Sequence, residues 1–525
     1  MTSRKNKAEL RVSNSIHDRL QMESTYIFDL QAGPGEQARR YSADMYIFIP
    51  TSLGINRDTY DRESFFKDVT SYFRIRTPSV RAWWDASPED FAIDSLERYL
   101  GAHLDTFERK ALVARAVQEV KVFGSFLHTR LKNLEKRARK RAAGRNDETP
   151  AFLLSRVERW LAVMGTFRRR YLERIRNEAL LVDDEVLRAL HLTDEYLSYR
   201  IEVILLRVRE ALVDLKEPLE RHLQAEARYR REHELVCLED RPDQGRQLEA
   251  YTYRLGLLKK YLSQALYLKL EEAKRDAFYR NGAAAVGAGL AATFAGLAEQ
   301  QRIQYLSGHD SGHRLALLLI MAVAAYVFKD RIKDLSKEYF NNRLKHKLPD
   351  HRYRITYPHV ATDGKKDEIE LGFIQEFMRY LSDLPDEVAY LRTIEKRADN
   401  DPRRNETVLH LSRMFDFNLR PVGDFRYIKN VLRLDFSEFL AKLDNPAKAV
   451  RYYQPRQGLR VVQAPKVYHL NVVMRYETLF GGAAAPLRRR IDFERFRVVL
   501  NKNGIVRIER VIGGGELAYT EEVHA

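Results

Sequence analysis

The chain has 525 residues, of which 45% are apolar and 31% are charged, so a disordered protein is excluded and about three domains are expected. Ninety Lys and Arg residues against 74 Asp and Glu residues give a net charge of +16, which favours an anionic neighbour such as nucleic acid or a lipid headgroup. The single cysteine, Cys237, excludes an intramolecular disulfide bond and fits a reducing compartment.

Residues 1–78 carry mostly strand signals. The first residues include Lys and Arg without an apolar stretch behind them, so we expect no secretory signal peptide. The runs TYIFDL (25–30) and YSADMYIFIP (41–50) are aromatic and β-branched, and a Gly-Pro loop separates them. Pro50 is expected to end the second strand. We therefore predict a β-rich N-terminal segment.

From residue 79 to residue 280 the spacing of apolar residues indicates one helix after another. Ser87 is followed by Pro88 and two acidic residues, which is typical of a helix N-terminus. Residues 184–238 keep helical spacing, and Pro218 is expected to kink or break that helix. From residue 247 the pattern continues without a breaker. We predict a helical domain and a stalk over 79–280.

Two runs without any charge follow at 282–298 and 315–328, inside the segment 281–328. As helices they would measure roughly 25 and 21 Å, which is marginal for a hydrocarbon core of about 30 Å. Basic residues crowd outside the runs and are sparse between them, as the positive-inside rule expects. Small residues repeat every four positions in the first run, as in packed membrane helices. We predict a transmembrane helical hairpin, with a hairpin buried in a soluble helical core as the alternative.

The hairpin prediction also sets a location. We expect a two-helix inner-membrane protein with both termini and the bulk of the chain in the cytoplasm, and a returning stalk helix at 329–349 that makes a coiled-coil stalk. Basic side chains can snorkel to the membrane surface, and tyrosine rings prefer the headgroup level. The expected membrane-interface anchors are Arg280, Arg314, Tyr326 and Lys329.

The last third of the chain changes character. Residues 350–404 are a mixed connector in which GFIQEFMRYLSDL (372–384) is predicted as a short helix. Over 405–515 apolar and polar residues alternate, which indicates an antiparallel sheet or sandwich with one solvated face. NKNG (501–504) is a tight-turn signal, and 516–525 is a tail. The predicted class is α+β: a long-helix bundle with a two-helix transmembrane hairpin and a β-rich, sandwich-like C-terminal domain.

The densest basic run is KRARKRAAGR (136–145), which ends a predicted helix where the helix dipole favours cations. It is interpreted first as a solvated helix end. Contact with anionic lipid headgroups or phosphate and contact with nucleic acid stay open as alternatives. The residues that would make such a contact are Lys136, Arg137, Arg139, Lys140 and Arg141.

The sequence offers little sign of chemistry. HDSGH (309–313) places two histidines four residues apart, but Ser311 and Gly312 favour a turn and no third ligand is near, so we predict no metal site. GxSxG, HExxH and paired CxxC motifs and a phosphate-binding glycine loop are all missing from the sequence. We therefore assign no catalytic, cofactor-binding or metal-binding residue and expect no cofactor.

Three functions stay open. The first is a membrane-anchored cytosolic scaffold or sensor that binds an unknown protein partner through its soluble domains and can form a homo-oligomer. The second is an enzyme with a dispersed active site that the sequence does not reveal. The third is a soluble, basic nucleic-acid-binding protein whose apolar runs belong to its core.

Overall fold

The structure is a computed structural model. It describes residues 10–31, 38–76, 87–101, 106–177, 182–238, 245–272, 349–360, 366–394, 405–419, 426–482 and 485–522, and isolated positions between 285 and 331. The described part of the chain is α+β, with a helical unit inserted into a body of two antiparallel sheets.

The strands of the described residues are long and come from both ends of the chain. They are β1 (Arg11–Ile16), β2 (Gln21–Asp29), β3 (Ala38–Pro50), β4 (Val69–Ile75), β5 (Lys269–Glu272), β6 (His351–Val360), β7 (Lys366–Leu381), β8 (Glu406–Asn418), β9 (Tyr427–Asp435), β10 (Ala447–Gln454), β11 (Gly458–Pro465), β12 (Tyr468–Gly482), β13 (Ala485–Asn501) and β14 (Gly504–Glu522). The larger sheet has the order β14-β13-β12-β3-β8-β7-β6-β5, and the smaller sheet has the order β1-β2-β9-β4. β10 and β11 form a separate two-stranded hairpin.

The helices of the described ranges lie mainly between β4 and β5. They are α1 (Arg62–Asp68), α2 (Asp94–Gly101), α3 (Thr106–Ala142), α4 (Pro150–Phe167), α5 (Arg174–Asn177), α6 (Asp184–Ala211), α7 (Lys216–Glu232), α8 (Arg246–Ser263), α9 (Asp386–Thr393) and α10 (Ser437–Ala441). A π-helical turn at Arg168–Glu173 joins α4 to α5. Within the helical unit, Gly124 of α3 allows a close approach, because a Cβ atom there would lie 2.2 Å from Leu262 of α8.

The two sheets pack face to face because alternate residues of their strands are apolar. In β8 the residues Leu409, Leu411, Phe415 and Phe417 are all buried in the core between the sheets. The Phe415 ring lies 4.7 Å from the ring of Phe28 in β2, measured between centroids. β3 pairs with β8 on one side and with β12 on the other, so strands from the two ends of the chain share one sheet and one core.

Residues 372–384, predicted as a helix, belong to strand β7 up to Leu381, so that prediction is wrong. Ile374 and Met378 are both buried and are four residues apart, a spacing that fits a helix face and also alternate positions of a strand. Strands β6 and β8 pair with β7 on its two sides, and this pairing decides the conformation.

The predicted transmembrane hairpin is wrong. Among the residues that the structure describes, no helix is long and apolar enough to cross a membrane. The helix expected to run from residue 247 into the first apolar run ends at Ser263, because residues 264–266 tighten into a 3-10 turn. Lys269–Glu272 then pair with β6 as a strand. The predicted inner-membrane location and coiled-coil stalk depend on the hairpin and are wrong as well.

The remaining parts of the hairpin prediction fall almost wholly outside the described residues. Of the runs 282–298 and 315–328 only isolated positions are described, and these are helical. The returning stalk at 329–349 is described only at Arg331 and Pro349. The residues predicted as membrane-interface anchors that lie outside the described part are Arg280, Arg314, Tyr326 and Lys329.

Candidate functional site

A cleft of about 770 Å³ opens between the two sheets, with β4 on one side, β5, β6 and β7 on the other, and α1 beside it. Its volume lies within the range of about 300–1,000 Å³ that is usual for small-molecule sites. The walls are largely apolar. The apolar side chains that line it are Phe66, Val69, Phe73, Leu270 and Ile374.

A buried arginine holds two of the residues that line the cleft. Arg413 of β8 is 1% exposed, and its Nε donates to Oε1 of Glu376 on β7 at 2.7 Å. Its two other nitrogens donate to the smaller sheet, to Oδ1 of Asn430 at 2.8 Å and to Oγ of Ser71 at 2.9 Å. A buried guanidinium is tolerated only when it is paired and hydrogen-bonded. Glu376 and Ser71 both line the cleft, so this network forms its polar floor.

Charged side chains of α1 lie at the cleft as ion pairs. Arg62 donates to Oδ1 of Asp350 at 2.9 Å, and Lys67 pairs with Glu63 one turn earlier at 2.9 Å. The other oxygen of Asp350 accepts from the backbone N–H of Met378 at 2.6 Å. Helix α1 is held in place by its N-cap, since the Asp61 side chain accepts from the N–H of Ser64.

His351 of β6 brings an imidazole ring to the cleft. Its Nδ1 is buried and has no hydrogen bond within the described residues, since Oε1 of Glu272 is 3.9 Å away. The imidazole packs against Phe66 with its ring centroid 4.4 Å distant in an edge-on contact. The side chain as a whole is 31% exposed, so the rest of the ring can contact a ligand in the cleft.

Tyr353 lies two residues further along the same strand and also lines the cleft. Burial raises the pKa of its hydroxyl above the ordinary value, and the nearby carboxylates of Glu376 and Glu272 raise it further. The phenol therefore stays protonated at neutral pH. It can donate a hydrogen bond to a ligand and present its ring as part of the wall.

A second buried polar cluster lies between the same two sheets. Asn14 of β1 donates to Glu494 of β13 at 2.8 Å and accepts from Ser24 of β2 at 2.6 Å. The Tyr476 hydroxyl donates to the same carboxylate at 3.2 Å. Burial raises the pKa of Glu494. These groups satisfy one another, so we assign them to the cohesion of the sheets.

A third buried cluster lies in the helical unit. Arg168, at the start of the π-helical turn, donates to Asp194 at 2.8 Å and to both oxygens of Glu226 at 3.0 and 2.6 Å. Its guanidinium stacks on the Tyr229 ring at 3.5 Å, and the Tyr229 hydroxyl donates to Asp194. The arginine is saturated by these contacts, so the cluster joins α6 and α7 to the end of α4.

The basic residues predicted to contact an anion end helix α3, and none of them lines the cleft. Three of them have partners: Arg137 with Glu148 at 2.9 Å, Arg139 with Glu135 at 2.9 Å, and Arg141 with the carbonyl oxygen of Asn146 at 3.3 Å. Lys136 and Lys140 are exposed. Their contact with an anionic surface stays a prediction.

The arrangement of potential metal ligands is seen in the described residues only. In the described ranges no group of three or more His, Cys, Asp or Glu side chains is arranged to hold a metal ion. The HDSGH stretch (309–313) lies outside those ranges.

The sequence interpretation missed every polar residue of the cleft floor, although a signal was present. On the apolar face of β8, Arg413 stands between Leu411 and Phe415. In β7 Glu376 stands in the same way between Ile374 and Met378. A charged residue on the apolar face of a strand indicates a buried, paired group.

No family model, no curated protein and no solved structure matches this chain.

Proposed function

We propose that the protein binds a small organic molecule in the cleft between its two sheets and acts as a ligand-binding sensor. The observation that carries this proposal is the largely apolar cleft of about 770 Å³, whose lining includes the half-buried imidazole of His351 and the phenol of Tyr353. A concave apolar site with a few convergent polar groups is the usual form of a small-molecule site.

The chemistry of the lining suggests the type of ligand. Phe66, Phe73 and Leu270 favour an apolar, planar or branched body. The His351 imidazole and the Tyr353 phenol favour one polar end, such as a hydroxyl, carbonyl or amide. The charges at the floor and beside α1 neutralise each other in pairs, so a neutral ligand fits better than a polyanion.

The pairing of the carboxylates supports binding over catalysis. Glu376 is held by Arg413, and Asp350 is held by Arg62 and by a backbone N–H. A general base needs a lone pair free to take a proton from the substrate. Carboxylates that are already engaged serve better to fix the shape of the cleft and to orient a bound molecule.

The first test is to look for a molecule that the protein already holds. The protein is purified under gentle conditions and denatured, and the small molecules released are identified by mass spectrometry. We expect an amphipathic compound, near one equivalent per chain, that rebinds to the refolded or freshly purified protein. A His351→Phe variant should retain less of it, because the ring packing stays and the hydrogen bond is lost. Equal retention by both proteins would contradict the assigned site.

A further inference from the structure

The hairpin of β10 and β11 stands apart from the rest of the described structure. Its two strands pair only with each other, and each residue of both strands is exposed or half-exposed. Eight residues per strand give an arm about 26 Å long. A two-stranded hairpin by itself is marginally stable in water, so an arm of this form gains stability from a partner.

Every charged residue of the arm is basic. Residues 447–465 contain Lys448, Arg451, Arg456 and Arg460 and no acidic residue. Among the described residues no carboxylate pairs with any of these four side chains, and Arg460 donates to the amide oxygen of Gln457 at 2.6 Å. Many other arginines of the described residues pair with carboxylates, as Arg413 and Arg168 do. The cations of the arm are therefore available to an external anion.

The cations are distributed over both faces of the arm. In the register of the hairpin Arg451 stands opposite Val461, and Tyr452 stands opposite Arg460 on the other face. Arg456 lies in the turn between the strands, next to Pro455. A partner that meets cations on both faces and at the tip has to surround the arm with negative charge.

The arm also exposes aromatic and aliphatic side chains. Tyr453 is 73% exposed, and its cross-strand neighbour Leu459 is 69% exposed. Arginines beside exposed rings and a proline at the tip form a combination that suits a nucleic-acid groove, where phosphates line both walls and apolar wedges contact the bases. Two such arms would repel each other through their like charges, which disfavours a second copy of the chain as the partner.

We propose that the β10–β11 hairpin is a nucleic-acid-binding arm that lies in a groove of double-stranded DNA. Arg451, Arg456, Arg460 and Lys448 contact phosphates, and the tip at Pro455 and Arg456 enters the groove. The net charge of +16 supports the same partner, because it favours the long-range approach of a polyanion.

The test measures the binding of a 30-base-pair DNA duplex to the full chain. Fluorescence anisotropy reports the affinity at several salt concentrations. In the first variant, the arm variant, Lys448, Arg451, Arg456 and Arg460 are all changed to Gln. In the control variant, four exposed basic residues of α7 are changed to Gln, so both proteins lose the same charge. Those four residues are Lys216, Arg221, Arg228 and Arg231.

We expect the arm variant to bind at least tenfold more weakly and to lose about 3.6 from the slope of log affinity against log salt, since each phosphate contact contributes about 0.9. The control variant should keep the affinity of the natural chain within about twofold. Equal losses in both variants would overturn the proposal in favour of diffuse charge. Binding of poly-glutamate as tight as that of the duplex would overturn it in favour of an acidic protein.

A deletion separates the arm from any general loss of folding. The backbone N–H of Lys466 donates to the carbonyl oxygen of Pro446 at 2.8 Å, so the base of the arm is already closed. Replacing residues 447–465 with Gly-Ser-Gly should leave the melting temperature within a few degrees and remove duplex binding. A deletion variant that folds and still binds the duplex with the original salt slope would refute the assignment.

Discussion

Glu376 and Arg413 stand directly opposite each other on β7 and β8 and form a buried ion pair with an N–O distance of 2.7 Å. The same guanidinium donates to Asn430 and Ser71 of the smaller sheet. One side chain therefore ties the two layers of the fold together and holds Glu376 and Ser71, which line the cleft. The pair links the stability of the body to the shape of the candidate site.

Removing one partner of this pair should be more damaging than removing both. We expect Arg413→Met to lower the free energy of unfolding by about 3–5 kcal/mol, because it leaves the Glu376 carboxylate buried and uncompensated. The double variant Arg413→Met with Glu376→Leu should recover much of that loss, since no charge stays behind. Urea denaturation of the three proteins measures both values. A double variant as unstable as the single one would show that the pair itself supplies the stability.

Two glycines should respond in opposite directions to alanine. Gly372 of β7 has φ +151°, and a Cβ atom there would lie 1.9 Å from the carbonyl oxygen of Asp416. Gly372→Ala should therefore lower the free energy of unfolding by more than about 1 kcal/mol. Gly256 lies on the exposed side of α8 with open space around it, so Gly256→Ala should raise that free energy by about 1 kcal/mol. Thermal unfolding compares the two variants, and a neutral Gly372→Ala would contradict the close approach of β7 to β8.

Local pattern was enough to predict some elements and not others. The alternation in Leu409, Leu411, Phe415 and Phe417 predicts a strand with one buried face, and the structure confirms it as β8. The position of β3 between β8 and β12 depends on contacts more than 350 residues apart in sequence, which no local period encodes. The same limit explains β7, because apolar residues four positions apart fit both a helix and a strand. Pairing with β6 and β8 decides between the two.

The cleft was hidden for a related reason. Its polar groups come from β4, β6, β7 and α1, and each of them looks ordinary in its own stretch of sequence. Arg413 in β8 and Glu376 in β7 are the local signs, because each is a charged residue on the otherwise apolar face of its strand.

The two uncharged runs predict a membrane hairpin by their composition. Apolar composition alone does not distinguish a bilayer from other apolar surroundings.

His128 of α3 should make stability depend on pH. Burial lowers the pKa of this imidazole to about 3, and the nearby cations of Arg200, Lys132 and Lys259 add to the effect. Its Nδ1 lies 3.0 Å from the Tyr196 hydroxyl, within hydrogen-bond distance. The unfolded chain takes up a proton near pH 6.5 and the folded chain does not. The contribution of His128 to the free energy of unfolding is therefore fully present above about pH 6.5. It falls as the pH drops toward 3, by up to about 1.4 kcal/mol per pH unit.

The measurement is the free energy of urea unfolding at pH 7.0, 5.5 and 4.5 for the natural chain and for His128→Gln. Glutamine carries no charge at any of these pH values, so the variant should lose this part of the pH dependence. An unchanged slope in the variant would mean that other groups, such as the buried carboxylates, are responsible for acid sensitivity.

The central claim is that the cleft between the sheets is a small-molecule site, and a pair of tryptophan variants tests it most directly. Leu270 lies on the cleft wall, so Leu270→Trp should fill part of the space. Leu206 lies on α6 and is 39% exposed, so Leu206→Trp makes the same change away from the cleft. Both variants and the natural chain are heated with a library of amphipathic small molecules.

A ligand that binds only the folded state raises stability by about 2.7 kcal/mol at a hundred times its dissociation constant. We predict that at least one compound raises the melting temperature of the natural chain and of Leu206→Trp by several degrees, and that Leu270→Trp does not respond to it. Compounds that stabilise all three proteins equally, or a library without effect on the natural chain, would contradict the assignment of the cleft as the binding site.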